Sequence, residues 1–216
     1  MSFYMASENL YGLPERANTY KLNVTKKHEP YRLYALDKFP HEEFDDQSLY
    51  SGIPYIMGHS DNGHDEGIMW INGADTYVDI FEDTVGGNSN GRIANFISEG
   101  GMLEFFIIAA TTPKRLQKLL ATVTGFPALP PLFSLGFHYS KWEDTSAARI
   151  IEYNEKFEAN GFPLDVLWMD IGYTMDNKYF QFHPFYFNEN DLTLMKSVIN
   201  ISDRRLVVIT DPHIKY

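Results

Sequence analysis

The chain has 216 residues, 44% of them hydrophobic, which suffices for one large domain or two small ones around a packed core. Its net charge of −11, with no basic cluster larger than Lys26-Lys27 or Arg204-Arg205, argues against nucleic acid and acidic membranes as partners. Cysteine is absent, which removes disulfides, thiolate metal sites and a cysteine nucleophile, and no apolar run approaches the ~20 residues of a membrane helix.

The first ten residues show no basic stretch followed by an apolar one, so no signal peptide is read there. Short β-type runs follow at residues 31–36, 53–57, 67–72, 76–81 and 103–109, separated by Gly, Pro, Asn and Asp. Strands without helix-length patterns between them predict an antiparallel sheet or sandwich, and the spacing of 67–72 and 76–81 predicts two hairpin strands. Thr111 or Thr112 before Pro113 predicts a capped helix over 114–122, because proline in a first turn forfeits no hydrogen bond. Gly125, Pro127, Pro130 and Pro131 then break the chain, and the domain boundary is placed there, giving residues 1–125 and 126–216.

Beyond that boundary strand and helix alternate. The expected elements are a strand over 135–139, a helix over 145–160 closed by Gly161, a strand over 165–170, a short helix over 192–199 and a strand over 205–211. Apolar strands alternating with helices mark a parallel sheet, and three units fit either an open sheet or a closed barrel. No glycine-rich dinucleotide fingerprint and no phosphate loop is present.

Asp170 and Asp211 each close an apolar strand of this second half. Parallel strands put those ends on one side, where a barrel builds its site, and a carboxylate there binds hydroxyls, pairs with a cation or moves protons. Equally, each carboxylate fits a cap on the following turn, and Pro212 favours that role for Asp211. Trp168, two residues before Asp170, should share its side of the strand. His138 is expected near the end of the first strand with Trp142 just beyond it, and His213 follows Asp211-Pro212. His138 and His213 are each also compatible with an ordinary satisfied polar role. The group His59, Asp61, His64, Asp65 and Glu66 has metal-ligand types but no recognised spacing, and Asn62-Gly63 favours a solvated turn there. No metal and no other cofactor is expected. Two glycosylation triplets occur, Asn23-Val24-Thr25 and Asn200-Ile201-Ser202, which matter only in a secretory compartment. With 33 aromatic residues of 216, some rings beyond the core are candidates for stacking against sugars.

Seven segments together resemble glycoside hydrolase family 31. They are YGLPERA at 11–17, PYRLYALD at 30–37, SLYSGIPYIMGH at 48–59, GIMWINGADTYVDI at 67–80, FPALPPLFSLGFHYSKW at 126–142, DVLWMDIGYTMDNKYFQFHP at 165–184 and RRLVVITDPHIK at 204–215. The resemblance implies a galactose-mutarotase-like β-sandwich, itself incomplete at its N-terminus. About three β/α units of a (β/α)8 barrel follow it, left incomplete. It implies retaining hydrolysis of α-linked glucose, with a nucleophile and a general acid about 5–5.5 Å apart. Neither of these is expected within this chain, so no catalytic residue is assigned and the chain alone is expected to be inactive. An unmade barrel should expose edge strands and apolar sheet faces.

By the same resemblance Asp170 binds the non-reducing glucose, with Ile171 beside it. Asp37 reaches the pocket from a sandwich loop, Trp142 and Ile214 line it, and Asp211 supports loop geometry. His138, Trp168 and His213 are possible supporting residues. The resemblance runs most strongly to the branch that trims N-glycans in the endoplasmic reticulum lumen. It implies an α-glucoside or N-glycan substrate and a non-catalytic β subunit for the full-length protein. Two other readings stay open: a carbohydrate-binding or assembly protein without catalysis, and a metal-assisted barrel hydrolase using Asp170, Asp211 and His213.

Overall fold

Alternation of apolar and polar residues along short strands builds the first of two units, Met1–Phe126. The computed structural model describes residues 1–39, 41–61, 63–83, 91–142 and 145–211. Among the described residues, eight strands fall in the first unit: β1 (Ser2–Met5), β2 (Asn9–Gly12), β3 (Tyr31–Leu33), β4 (Tyr55–His59), β5 (Asp65–Ile71), β6 (Thr76–Glu82), β7 (Arg92–Ser98) and β8 (Glu104–Ala110). They pair antiparallel in two sheets, ordered β1-β7-β6-β3 and β2-β4-β5-β8. Phe3, Met5, Val78, Ile80, Ala94 and Phe96 from one sheet meet Leu10, Ile56, Ile68 and Trp70 from the other in one buried cluster. This is the sandwich anticipated from the sequence.

Trp70 is the largest fully buried side chain. Its ring stacks on Phe96 at 5.3 Å and lies nearly parallel to Phe105 at 6.4 Å, with the Phe3 ring edge-on at 6.4 Å. The indole N–H donates to Ser98 Oγ at 3.0 Å, and Ser98 Oγ lies 2.7 Å from Thr76 Oγ1, so the polar edge of the ring is satisfied.

One expectation is overturned. β5 and β6 are not a hairpin; β5 pairs with β4 and β8, while β6 pairs with β3 and β7. The connection crosses from one sheet to the other, which lets Trp70 and Val78 enter the same core. Asn72 holds that crossing: it accepts from the Ala74 N–H at 2.8 Å and donates to the carbonyls of Gly100 and Met102 at 2.8 and 3.2 Å. Strands β1, β2 and β7 were not anticipated. At Gly12 the backbone has φ +114°, and a Cβ would lie 2.3 Å from the Tyr55 carbonyl oxygen, so only glycine fits.

Helix α1 (Pro113–Thr124) covers the outer face of the second sheet. Thr112 Oγ1 accepts from the Arg115 N–H at 3.3 Å, and Leu116, Leu119 and Leu120 pack at i, i+3, i+4 spacing on Tyr55, Met57, Met69 and Ile108. The Tyr55 phenol beneath it is pushed up to about 12, first by burial and then by the charge of Asp65. The metal-type group next to it disperses. Asp65 is buried with Oδ1 2.6 Å from His59 Nδ1, Glu66 accepts from the Ala6 N–H, and Asp61 and His64 are exposed.

The second unit is Pro127–Tyr216. Here β9 (His138–Lys141), β10 (Val166–Met169) and β13 (Arg205–Val208) run parallel in the order β13-β10-β9. Helix α2 (Ala147–Ala159) links β9 to β10, and α3 (Glu189–Ile201) precedes β13. Leu167 and Met169 of β10 pack under Ala147, Ile150, Met195 and Ile199 of the two helices. Ser146 Oγ accepts from the Arg149 N–H at 3.2 Å and Asn188 Oδ1 from the Asp191 N–H at 3.0 Å, so both helices start on a side-chain cap. Gly161, at φ +66°, ends α2. Among the described residues this sheet does not close: it is a barrel-like run of strand and helix units. Leu129, Leu132 and Leu135 stand exposed before it.

One boundary differs from the sequence reading. The prolines at 130 and 131 lead into a 3₁₀ turn, Leu132–Leu135, closed by Ser134 N–H to Pro131 O at 3.0 Å, so β9 begins only at His138. A hairpin was also missed between β10 and α3. β11 (Thr174–Met175) and β12 (Lys178–Phe182) pair antiparallel across Asp176 and Asn177, which have φ +52° and +58° as a type I′ turn requires.

Candidate functional site

The C-terminal ends of β9, β10 and β13 lie side by side, because the three strands are parallel and hydrogen-bonded in register. Asp170 leaves β10 first. Val166, Trp168 and Asp170 alternate with Leu167 and Met169, whose side chains go to the helices, so Asp170 belongs to the opposite face. Its Oδ1 accepts from the Ile171 N–H at 2.7 Å and its carbonyl from the Tyr173 N–H at 3.1 Å, capping a short turn at Ile171–Tyr173. Oδ2 has no partner among the described residues. Asp170 is half-buried, with one carboxylate oxygen fixing its direction and the other free of hydrogen bonds among the described residues.

Trp142 follows β9, and its side chain is 67% exposed. A Cβ on Gly172 would lie 3.7 Å from the Trp142 carbonyl oxygen and 3.4 Å from Thr145 Oγ1. The structure therefore brings the backbone of Trp142 beside the loop that carries Ile171. Trp168 and His138 are joined: the indole N–H donates to His138 Nδ1 at 2.9 Å, and His138 Nε2 lies 3.1 Å from the Ser134 carbonyl oxygen. With Nδ1 accepting, Nε2 carries the proton and donates to that carbonyl. His138 opens β9 instead of ending it, because the 3₁₀ turn displaces the strand, so it lies at the end remote from Asp170.

Asp211, after β13, is bound by a residue that sequence reasoning passed over. The Tyr179 hydroxyl on β12 donates to Asp211 Oδ2, and Tyr173 donates to the Ile209 carbonyl at 2.9 Å. Two phenols thus tie the loop after β10 to the end of β13. Asp211 Oδ2 is bound by a phenol, whereas Asp170 Oδ2 makes no hydrogen bond among the described residues. The Asp176-Asn177 pair between two short apolar-aromatic runs was the available signal for this hairpin. The hydrogen bond to Asp211, then burial, pushes the Tyr179 phenol up to about 12. Folding holds this proton, so the contribution is complete below about pH 10 and is lost as pH climbs towards 12. Tyr179→Phe should remove one titration near pH 12 from the tyrosine absorbance curve. It should also speed amide exchange at the end of β13 roughly five- to tenfold. Unchanged exchange there would mean that Tyr173 alone holds the hairpin.

Asp37 lies on the loop after β3 in the first unit, exposed, with the Leu36 N–H bound to the Leu49 carbonyl at 2.7 Å at the loop's base. Ile214 and His213 fall outside the described residues.

The chain belongs to glycosyl hydrolase family 31: residues 127–216 match its TIM-barrel domain and residues 1–79 its N-terminal galactose mutarotase-like domain. Among curated proteins, neutral alpha-glucosidase AB of Sus scrofa and of Homo sapiens are each 35% identical over 222 residues, which is 96% of this chain and 23% of theirs. Among solved structures, the ER glucosidase II heterodimeric complex of catalytic subunit and regulatory-subunit binding domain superposes with a TM-score of 0.89. It is 33% identical over 100% of this chain and 24% of its own. The chain spans about a quarter of the length of the relatives it matches.

Proposed function

We propose that these 216 residues supply part of the sugar pocket of a retaining α-glucosidase that removes terminal α-linked glucose from N-glycans. The observation that carries this reading is Asp170 at the end of the central parallel strand, with one carboxylate oxygen locked to the Ile171 N–H and the other free of hydrogen bonds among the described residues. An ionised carboxylate held that way accepts hydrogen bonds from two neighbouring sugar hydroxyls, and a fixed orientation spares the cost of ordering it on binding. In this reading Asp37, Trp142, Ile171 and Ile214 are further substrate-binding residues. Trp168, His138, Asp211 and His213 are supporting residues in the same reading. The residue boundary between sandwich and barrel falls near 125.

The nucleophile and the general acid lie outside these residues. The full-length protein works in the endoplasmic reticulum lumen, paired with a non-catalytic subunit. The glucosidase II complex, which joins a catalytic subunit to a regulatory one, supports that part of the reading.

Purified 216-residue chain, freed of host glycosidases, should not turn over maltose or a chromogenic α-glucoside. The full-length protein should. Turnover by the 216 residues that disappears in Asp170→Asn would overturn the division of labour. A full-length protein with no α-glucosidase activity would overturn the function itself.

A further inference from the structure

The two glycosylation triplets have no part in the sugar pocket, and the structure separates them sharply. Asn23, Val24 and Thr25 lie in irregular chain between β2 and β3. The segment is stretched between two fixed points: the Leu22 N–H donates to the Leu10 carbonyl at 2.8 Å, and the Thr25 N–H to the Ile80 carbonyl at 2.9 Å. Between them the backbone of Asn23 is bound on both sides by the Tyr31 hydroxyl, at 2.8 and 3.2 Å. Leu22 is buried, while Asn23 and Val24 face solvent. The side-chain amide of Asn23 makes no hydrogen bond among the described residues. A non-helical segment anchored at both ends thus presents an exposed carboxamide that makes no hydrogen bond among the described residues.

Asn200 sits differently. It is wound into the last turn of α3, where its carbonyl accepts from the N–H groups of Ser202 and Asp203. The hydroxyls do not separate the two triplets: Ser202 Oγ bonds the Val198 carbonyl and Asn154 Nδ2, both at 3.1 Å, and Thr25 Oγ1 bonds Asp79 Oδ1 at 2.9 Å, so the difference lies in the backbone. Presenting this triplet in extended form means unwinding a helix whose Met195 and Ile199 are core residues.

We infer that Asn23 is an acceptor for an asparagine-linked oligosaccharide, and that Asn200 is not. The inference rests on the lumenal reading above, since the transfer takes place only in that compartment. In the reaction, Nδ2 of Asn23 bonds to the anomeric carbon of an oligosaccharide carried on a polyprenyl pyrophosphate. The carbon–oxygen bond to the pyrophosphate breaks, the amide gives up one proton, and the lipid pyrophosphate departs. The attached glycan then projects from a surface segment, as this triplet requires of a folded product.

The test expresses the 216-residue chain in a eukaryotic host behind an added secretory leader, with a control Asn-Ala-Thr triplet on an appended tail. Peptide-N-glycosidase sensitivity is read by gel mobility. The expected result is two glycans: one on the tail and one that is lost in Asn23→Gln and retained in Asn200→Gln. The Asn23 side chain is exposed and makes no hydrogen bond among the described residues, so Asn23→Gln should leave the fold intact. Thr25→Ser, which keeps the hydroxyl bonded to Asp79, should still be modified. A glycan on the tail but none at Asn23 would overturn the assignment. If the leader-borne chain is modified at Asn23 and the protein in its own cells is not, the lumenal reading fails and the acceptor geometry stands.

Discussion

Replacing Trp70 with alanine should lower the thermal midpoint of the first unit by on the order of 10–20 °C, corresponding to about 3–5 kcal/mol. Trp70 is fully buried, and its ring touches Phe3, Phe96 and Phe105, so truncation opens a cavity walled by three rigid rings. Aromatic side chains do not collapse readily into such a void, which puts the cost at the upper end for large-to-small changes. The polar part of the loss is minor. Ser98 Oγ gives up the indole N–H but keeps Thr76 Oγ1 at 2.7 Å, so nothing buried is orphaned. Trp70→Phe, which retains a ring and abandons only the hydrogen bond and some volume, should cost less than half as much. Calorimetry with near-ultraviolet circular dichroism on the chain would decide, provided the two units are allowed separate transitions. A loss below about 1 kcal/mol for Trp70→Ala would show that the two sheets can close over the gap.

The second large effect falls on function. In the full-length protein, Asp170→Asn should reduce kcat/KM for terminal α-glucosides roughly ten- to a hundredfold. A hydrogen bond to a charged group contributes about 1.5–3 kcal/mol. Asparagine is nearly isosteric, and its Oδ1 can still accept from the Ile171 N–H, so the turn at Ile171–Tyr173 survives. The change isolates the charge of the other oxygen. Asp211→Asn is the control, because that carboxylate is taken up by Tyr179. It should act chiefly on stability, with kcat/KM moved much less. If Asp211→Asn proved the more damaging to kcat/KM at unchanged stability, the roles of the two strand-end aspartates would have to be exchanged.

What the sequence disclosed followed from local signals. Thr112-Pro113 announced α1, because cap and first-turn proline act within four residues. The run from Val166 to Met169 announced a buried parallel strand and put Asp170 at its end. The β5–β6 hairpin failed for a related reason: period-two alternation says which residues face a core, and it says nothing of which sheet they join. That choice was made by Asn72, whose bonds reach residues 28 and 30 positions away. β7 was hidden by Ala94 and Asn95, which weaken the apolar pattern of a strand that is central in its sheet. His138 was displaced by a 3₁₀ turn that two prolines induce. In the candidate site, Asp170 was legible because it ends a strand, whereas Tyr179 was not. Its importance comes from a partner 32 residues later, which the backbone brings near only once β10 and β13 have paired.

The three tryptophans occupy three contrasting surroundings. Trp70 is sealed among phenylalanine rings, Trp168 hydrogen-bonds an imidazole, and Trp142 stands mostly in solvent. An indole in an apolar cage emits at shorter wavelength than one in water, so emission colour distinguishes the two units without any added label. Loss of the blue component reports the opening of the sandwich. Changes in the red component report on the loop after β9, so arrival of a sugar there would be visible as a change in intrinsic light.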